Sequence, residues 1–310
     1  MRKQPFSRSV KDELARVPLP DSSAQREAEL TAFLYTVGSV HIRSGKRHLH
    51  LISTHPPTAR RLFALCGETT AIRPTVVVTQ SSVLNGRVVY RVRVPLDDAR
   101  PALEEMDCWS EGTLKLGKAA ALARTEPDVR KAYLRATFLG GGSVADPSTS
   151  YHLEIHCSNA ENAEFVCDLL HRLQIRAQLI AGDDGFLLYV KNSESISDFL
   201  KAVGARQSLF SFEDVRAMKE LRNQINRLVN SETANMTKSI RASLDQLQSI
   251  ERLTVEMKAR LTSRTRELME ARIQNPQASL RELGEMLDPP VSKSTVEYHF
   301  RKIRQLAGEA

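Results

Sequence analysis

The sequence predicts an α+β fold in which two pseudo-symmetric αββαββα repeats are followed by a helical linker and an all-α helix-turn-helix domain. Three observations carry this expectation. Residues 30–65 lie on residues 134–169 without a gap, at a constant shift of 104. A pair of alternating strands around a turn recurs at the matching place in each copy. Beyond Phe212 the apolar spacing becomes helical and stays so through the last residues. The expected boundaries are an N-terminal helical segment over 1–25, a first repeat over 26–107, a second over 108–204, the linker over 205–250 and the terminal domain over 251–310.

With 310 residues, 41% hydrophobic and 26% charged, the chain can build two domains with room for a third module, and wholesale disorder is excluded. No apolar run approaches the roughly 20 residues of a membrane span, and the opening MRKQPFSRSVKDELARV lacks a signal-type apolar core. A cytoplasmic protein with no membrane partner is expected. Cys66, Cys108, Cys157 and Cys167 show no CxxC spacing, so they read as free thiols, and neither metal nor cofactor is expected. The net charge of +7 is unevenly spread: +5 over 1–108, −2 over 109–204 and +4 over 205–310. Positive ends fit a polyanionic partner such as nucleic acid, or simply solvated basic faces.

The repeat fixes the elements in order. Identical pairs are Leu30/Leu134, Ala32/Ala136, Gly38-Ser39-Val40/Gly142-Ser143-Val144, Ser44/Ser148, His48-Leu49/His152-Leu153, Ala59/Ala163 and Leu65/Leu169. Leu51/Ile155, Thr54/Ser158 and Leu62/Val166 keep the apolar pattern. In the first copy 26–37 reads as helix, a short strand follows Gly-Ser-Val, HLHLIST over 48–54 alternates as a strand, and 57–66 is helical again. RPTVVVT and RVVYRVRV flank Leu84-Asn85-Gly86, where Asn-Gly supplies the positive φ of a tight hairpin, and DDARPALEEM closes the unit. In the second copy IRAQLIA and FLLYVK flank Gly182-Asp183-Asp184-Gly185, and SESISDFLKAVG closes it.

Ala32 and Gly38, like Ala136 and Gly142, stand six residues apart on the helix that opens each unit. Small side chains there would let two helices meet backbone to backbone about a pseudo-twofold axis. In this arrangement residues 20–204 resemble the LAGLIDADG homing endonucleases. The resemblance implies a saddle of sheet over a DNA major groove, and an acidic metal ligand just before each motif glycine. The matching positions here are Val37 and Gly141, which offer no oxygen to a divalent metal. A degenerate scaffold with no catalytic residue and no enzyme activity is therefore expected. Asp21 and Asp146 are the nearest acids, and neither has a counterpart in the other copy.

Arg87, Arg91 and Arg93 are separated by even numbers, so an extended strand projects all three from one face. With Arg43, Lys46, Arg47 and Arg73 nearby, that face is a candidate secondary DNA contact or an ordinary polar outer surface. The second copy lacks such a strand and could face protein. His48, His50, His152 and His156 do not make a repeated ligand set, because Glu154 matches His50.

From Phe212, Val215, Met218, Leu221, Ile225, Leu228 and Val229 form one helical stripe, opposed by Arg216, Lys219, Arg222 and Arg227. Asn223, Asn226, Asn230 and Asn235 follow, and asparagine favours caps and turns. Asn230-Ser231 is expected to break the helix, with a second starting near Asn235. The pair reads either as a capped hairpin packed on the repeats or as a polar surface for DNA or a protein partner.

At the end, a helix over 264–274 uses Leu268 and Ala271, and stops before Asn275-Pro276. Ser279-x-x-Glu282 is a capping box opening a second helix with Leu280, Leu283 and Leu287 inward, and Gly284 where another element can come close. Asp288-Pro289-Pro290 stops it. Ser292 caps a third helix that buries Val296, Phe300, Ile303 and Leu306. Its outward residues Lys293, Ser294, Glu297, Tyr298, Arg301, Lys302 and Arg304 are the candidate DNA-binding set: the helix start and Glu297 for base edges, the later basic residues for phosphates.

VKDELARV, YLRATFLGGGSV, YHLEIHCSN, RNQINRLVNSETAN and SLRELGEMLDPPVSKSTV together resemble the WhiA regulators of Gram-positive bacteria along the whole chain. The resemblance implies a sequence-specific transcription factor of cell division, chromosome segregation and, in filamentous actinobacteria, sporulation. It implies double-stranded promoter DNA as partner, nucleoid association, and a WhiB-type iron-sulfur protein as a further partner in actinobacteria. Two other functions compete with this one: a divalent-metal endonuclease whose acids have moved, and a division-associated scaffold with incidental DNA binding.

Overall fold

The computed structural model describes residues 5–43, 45–81, 86–183 and 185–308. The chain divides into two compact units, residues 1–219 and 220–310. Among the described residues no helix is long and apolar enough to cross a membrane.

In the first unit α1 (Phe6–Arg16) precedes a repeat made of α2 (Ser23–Val37), β1 (Gly38–Arg43), β2 (Lys46–Ser53), α3 (Pro56–Thr70), β3 (Thr75–Ser81), β4 (Arg87–Pro95) and α4 (Leu96–Glu105). A small hairpin, β5 (Trp109–Ser110) and β6 (Thr113–Leu114), and α5 (Gly117–Thr125) lead to the second repeat. That repeat comprises α6 (Pro127–Gly141), β7 (Gly142–Val144), β8 (Leu153–Cys157), α7 (Ala160–Arg172), β9 (Gln178–Gly182), β10 (Gly185–Val190) and α8 (Ser193–Val203). The sheets are antiparallel with the same strand order, β1-β2-β4-β3 and β7-β8-β10-β9. The αββαββα order expected from the repeat is the one observed. The hairpin β5–β6 and α5 were not expected.

Helices α2 and α6 lie at the centre, and consecutive residues Ala28–Tyr35 of α2 are buried, as a helix surrounded on all sides requires. Strands β2 and β4 alternate. Leu49, Leu51, Val92 and Val94 are buried toward the helices and the intervening residues face outward. Buried thiols Cys66, Cys108 and Cys157 belong to this core, and burial pushes each up to about 12. The turn residues Leu84, Asn85 and Asp184 lie outside the described residues, and Gly86 has the expected positive φ of 74°.

The close approach of α2 and α6 rests on a different glycine from the expected one. A β-carbon at Gly140 would collide with the Thr36 side chain of α2, whereas one at Gly38 or Gly142 would strike its own helix, at Leu34 or Phe138. Gly38 and Gly142 therefore serve the sharp exit from helix into strand. Glu29 of α2 is fully buried and bridges the halves. It accepts from Arg61 Nε at 2.8 Å and NH2 at 2.7 Å, and from Arg135 NH1 of α6 at 3.0 Å. Arg61 also reaches the Val17 carbonyl, and Arg135 the Val203 carbonyl at 3.0 Å.

The asparagine-rich segment does not form the expected hairpin. α9 runs unbroken from Arg206 to Glu251, and Met218, Leu221, Ile225, Leu228 and Val229 are at least half exposed. Asparagine costs a helix only about 0.5 kcal/mol per residue, and neither glycine nor proline occurs between Ala205 and Asn275 to stop it. The start of α9 is capped from α1: Glu13 accepts from the Gln207 and Ser208 amides at 2.8 and 2.9 Å.

The second unit holds the rest of α9, then α10 (Val255–Ala259), α11 (Ser263–Gln274), α12 (Leu280–Glu285) and α13 (Lys293–Leu306). Its core gathers Ile250, Leu253, Leu268, Leu283, Val296, Phe300 and Ile303.

Candidate nucleic-acid interface

The last three helices are held by polar devices as well as by the core. Ser279 and Glu282 form the expected reciprocal capping box, with Ser279 N donating to Glu282 Oε2 at 2.7 Å and Glu282 N to Ser279 Oγ at 3.2 Å. A β-carbon at Gly284 would strike the Val291 carbonyl oxygen, and Val291 N donates to the Gly284 carbonyl at 2.9 Å, so the turn closes directly on α12. Arg264 pins that turn through the Asp288 carbonyl at 2.7 Å and the Pro289 carbonyl. Arg272, 2% exposed, donates Nε to Gln246 Oε1 at 2.9 Å and NH1 to the Ala278 carbonyl at 2.5 Å, and lies over the Phe300 ring.

α13 is capped by Ser292, whose hydroxyl accepts from Thr295 N at 3.3 Å. Val296, Phe300 and Ile303 bury one side, and Thr265 Oγ1 meets His299 Nδ1 at 2.9 Å beside them. Burial, then Lys302 and Arg264, hold His299 below its ordinary value. Lys293, Ser294, Glu297, Tyr298, Arg301, Lys302 and Arg304 are all exposed, on the remaining surface of the same helix. The Lys302 ammonium lies 5.0 Å from the centre of the Tyr298 ring, one turn away.

Arg272 and Arg264 were absent from the sequence reading. Arg272 had a signal: Leu261, Thr265, Leu268 and Arg272 fall at i, i+4, i+7 and i+11, so the guanidinium occupies an inward position. Arg264 pairs locally with Glu267 at 3.0 Å, but its role at the turn had no signal, because those carbonyls are distant in sequence.

In the first repeat, strand register puts Arg93 opposite His50, Arg91 opposite Ile52 and Arg87 opposite Ser81. Arg91 and Arg93 are half-buried and Arg87 is exposed. The same outward face carries Ser39, His41 and Arg43 of β1 and Lys46, His48 and His50 of β2, with no carboxylate on any of the four strands at these alternating positions. His41 stacks on His50 at 4.2 Å between ring centres. Among the described residues, His50 Nδ1 and Arg91 Nε are buried without a hydrogen-bond partner. Burial, then His41, Arg91, Arg93 and His48, lower His50 to about 4. Arg47 points elsewhere, to Asp97 at 2.5 Å. In the second repeat His152 instead pairs with Glu154 at 2.6 Å.

At the helix ends, Val37 is apolar and half-buried, and a β-carbon at Gly141 would collide with the His156 carbonyl oxygen of β8. Asp146 accepts from the Ser148 amide at 2.9 Å and hydroxyl at 2.6 Å within its own turn. Among the described residues no group of three or more His, Cys, Asp or Glu side chains could hold a metal ion.

Comparison with known proteins matches this architecture domain by domain. Family models for the WhiA N-terminal LAGLIDADG-like domain, the WhiA LAGLIDADG-like domain and the WhiA C-terminal HTH domain match residues 23–107, 130–222 and 225–307. A probable cell division protein WhiA of Thermoanaerobacter sp. (strain X514) is 36% identical over 97% of this chain and 96% of its own. One of Heliobacterium modesticaldum is 39% identical over 97% and 95%. The crystal structure of full-length DUF199/WhiA from Thermatoga maritima shares the fold, with a TM-score of 0.61 at 23% identity over 98% of both chains. With matches of this kind along nearly its entire length, the chain belongs to the WhiA family.

Proposed function

We propose that this protein is a sequence-specific DNA-binding regulator acting in cell division, with α13 as its reading helix and the repeats as a scaffold that does not cleave. The observation that carries the reading is α13 itself, buried along Val296, Phe300 and Ile303 and exposed along Lys293 through Arg304. A helix so mounted can enter a major groove, with Lys293, Ser294 and Glu297 at base edges and Arg301, Lys302 and Arg304 at phosphates. The division role is supported by the names of its relatives. The acid-free face around Arg87, Arg91 and Arg93 supports a second backbone contact, since the unpartnered Arg91 Nε donor and crowded positive charge favour an anion.

The test selects bound duplexes from a random pool with the full chain, then titrates them against variants. Lys293→Ala and Arg301→Ala should each lose about 1–3 kcal/mol if they touch bases, or flatten the salt dependence if they touch phosphates. Unchanged affinity and selectivity in both variants would overturn the assignment. Incubation with Mg²⁺ and plasmid addresses the competing nuclease. A nick abolished by replacing a nearby acid would replace the regulator reading.

A further inference from the structure

Among the described residues strand β3 lies at the edge of the first sheet, hydrogen-bonded to β4 on one side only. Its sequence TVVVTQS carries no charge and no proline. Free edges in natural sheets are normally blunted by lysine, proline or a short length, because unpaired amides and carbonyls invite another strand. Here the edge is seven residues long, and Val76 and Val78 stand 44% and 57% exposed on the side facing α3. Beneath them an open apolar groove is lined by Ala59 and Phe63 of α3 and Tyr90 of β4.

The occupant follows from the strand's own sequence. Thr75-Val76-Val77-Val78-Thr79 reads the same in both directions. Antiparallel pairing of two copies centred on Val77 sets Val76 against Val78, Val77 against Val77 and Thr75 against Thr79, each a favourable cross-strand pair with no like charges opposed. Such a contact is isologous, the same surface on both copies, and so closes as a dimer. The matching edge of the second repeat, β9, is five residues long and reads QLIAG, which has no such symmetry.

We propose that β3 is the edge by which two copies of this chain join, giving one antiparallel sheet continuous across both, with Val76 and Val78 of each copy extending the apolar strip of the other. This does not depend on the DNA reading.

Sedimentation of the full chain over a concentration series tests it. The wild type is expected to dimerise reversibly, and Val76→Lys/Val78→Lys to remain monomeric with an unchanged circular dichroism spectrum. In a Cys167→Ser background, Val77→Cys should cross-link to its own copy on mild oxidation, whereas Gln80→Cys, six residues out of register with itself, should not. A wild type that stays monomeric at the highest concentration overturns the proposal. So does a dimer indifferent to the lysine pair but dissolved by Leu221→Lys/Ile225→Lys, which would assign the contact to α9.

Discussion

Arg135 of the second repeat places NH1 3.0 Å from Oε1 of Glu29, a carboxylate fully buried in the first. With Arg61 at 2.7 Å on the same oxygen, one negative charge holds two guanidiniums inside the protein. Neither residue is repeated: the shift of 104 sets Tyr133 against Glu29 and Thr31 against Arg135. The lock is therefore built once, across the pseudo-twofold axis. Glu29→Gln leaves two buried cations without their counter-charge and should cost about 3–5 kcal/mol, measured by urea unfolding of the first unit.

Gly140 of α6 faces the Thr36 side chain of α2 with no room for a β-carbon between them. Gly140→Ala should cost about 1–3 kcal/mol, because the added carbon has to push the helices apart. Adding Thr36→Gly opens space for it and should recover part of the loss in the same unfolding assay.

Arg272 ties α9 and the segment before α12 to α11. Arg272→Ala strips Gln246 and the Ala278 carbonyl of their donor, and should weaken the second unit by roughly 2–4 kcal/mol. DNA affinity should fall with it at a temperature where the variant is partly unfolded, and return on cooling. Loss of affinity in a fully folded variant would place Arg272 in the contact itself.

His50 links the first sheet to pH. Its value of about 4 lies below the ordinary 6.5, so between these values the unfolded chain holds a proton that the folded chain does not. Stability should therefore fall as pH drops from 6.5 toward 4, and His50→Asn should lose less over that range, read as unfolding midpoints. A phosphate on this face reverses the sign: binding would take up a proton, and affinity for duplex should rise on acidification.

Most of this architecture was legible because it is periodic. The repeat, the strand alternation, the capping box at Ser279 and the inward stripe of α13 each follow from spacing alone. What escaped depends on partners remote in sequence or on competition between weak preferences. Four asparagines suggested a break, but their combined cost is less than the continuous hydrogen bonding of α9. Gly140 lay beside the conspicuous Gly-Ser-Val, and only the facing Thr36 distinguishes it. The outward set on α13 could be named in advance because its complement was apolar. The histidines beside Arg91 and Arg93 shared a face by count, but their crowding, with His50 Nδ1 and Arg91 Nε unpartnered among the described residues, emerges only once β1, β2 and β4 are in register.

The main-chain oxygen of His156 occupies the spot where the first atom of any side chain at position 141 would have to go. Placing a carboxylate there is consequently not a single step in sequence. The neighbouring strand would have to retreat first, at the expense of the sheet it belongs to. Position 141 works like a locked gate: any side chain there, acidic or not, is barred from that helix end by backbone rather than by the choice of residue.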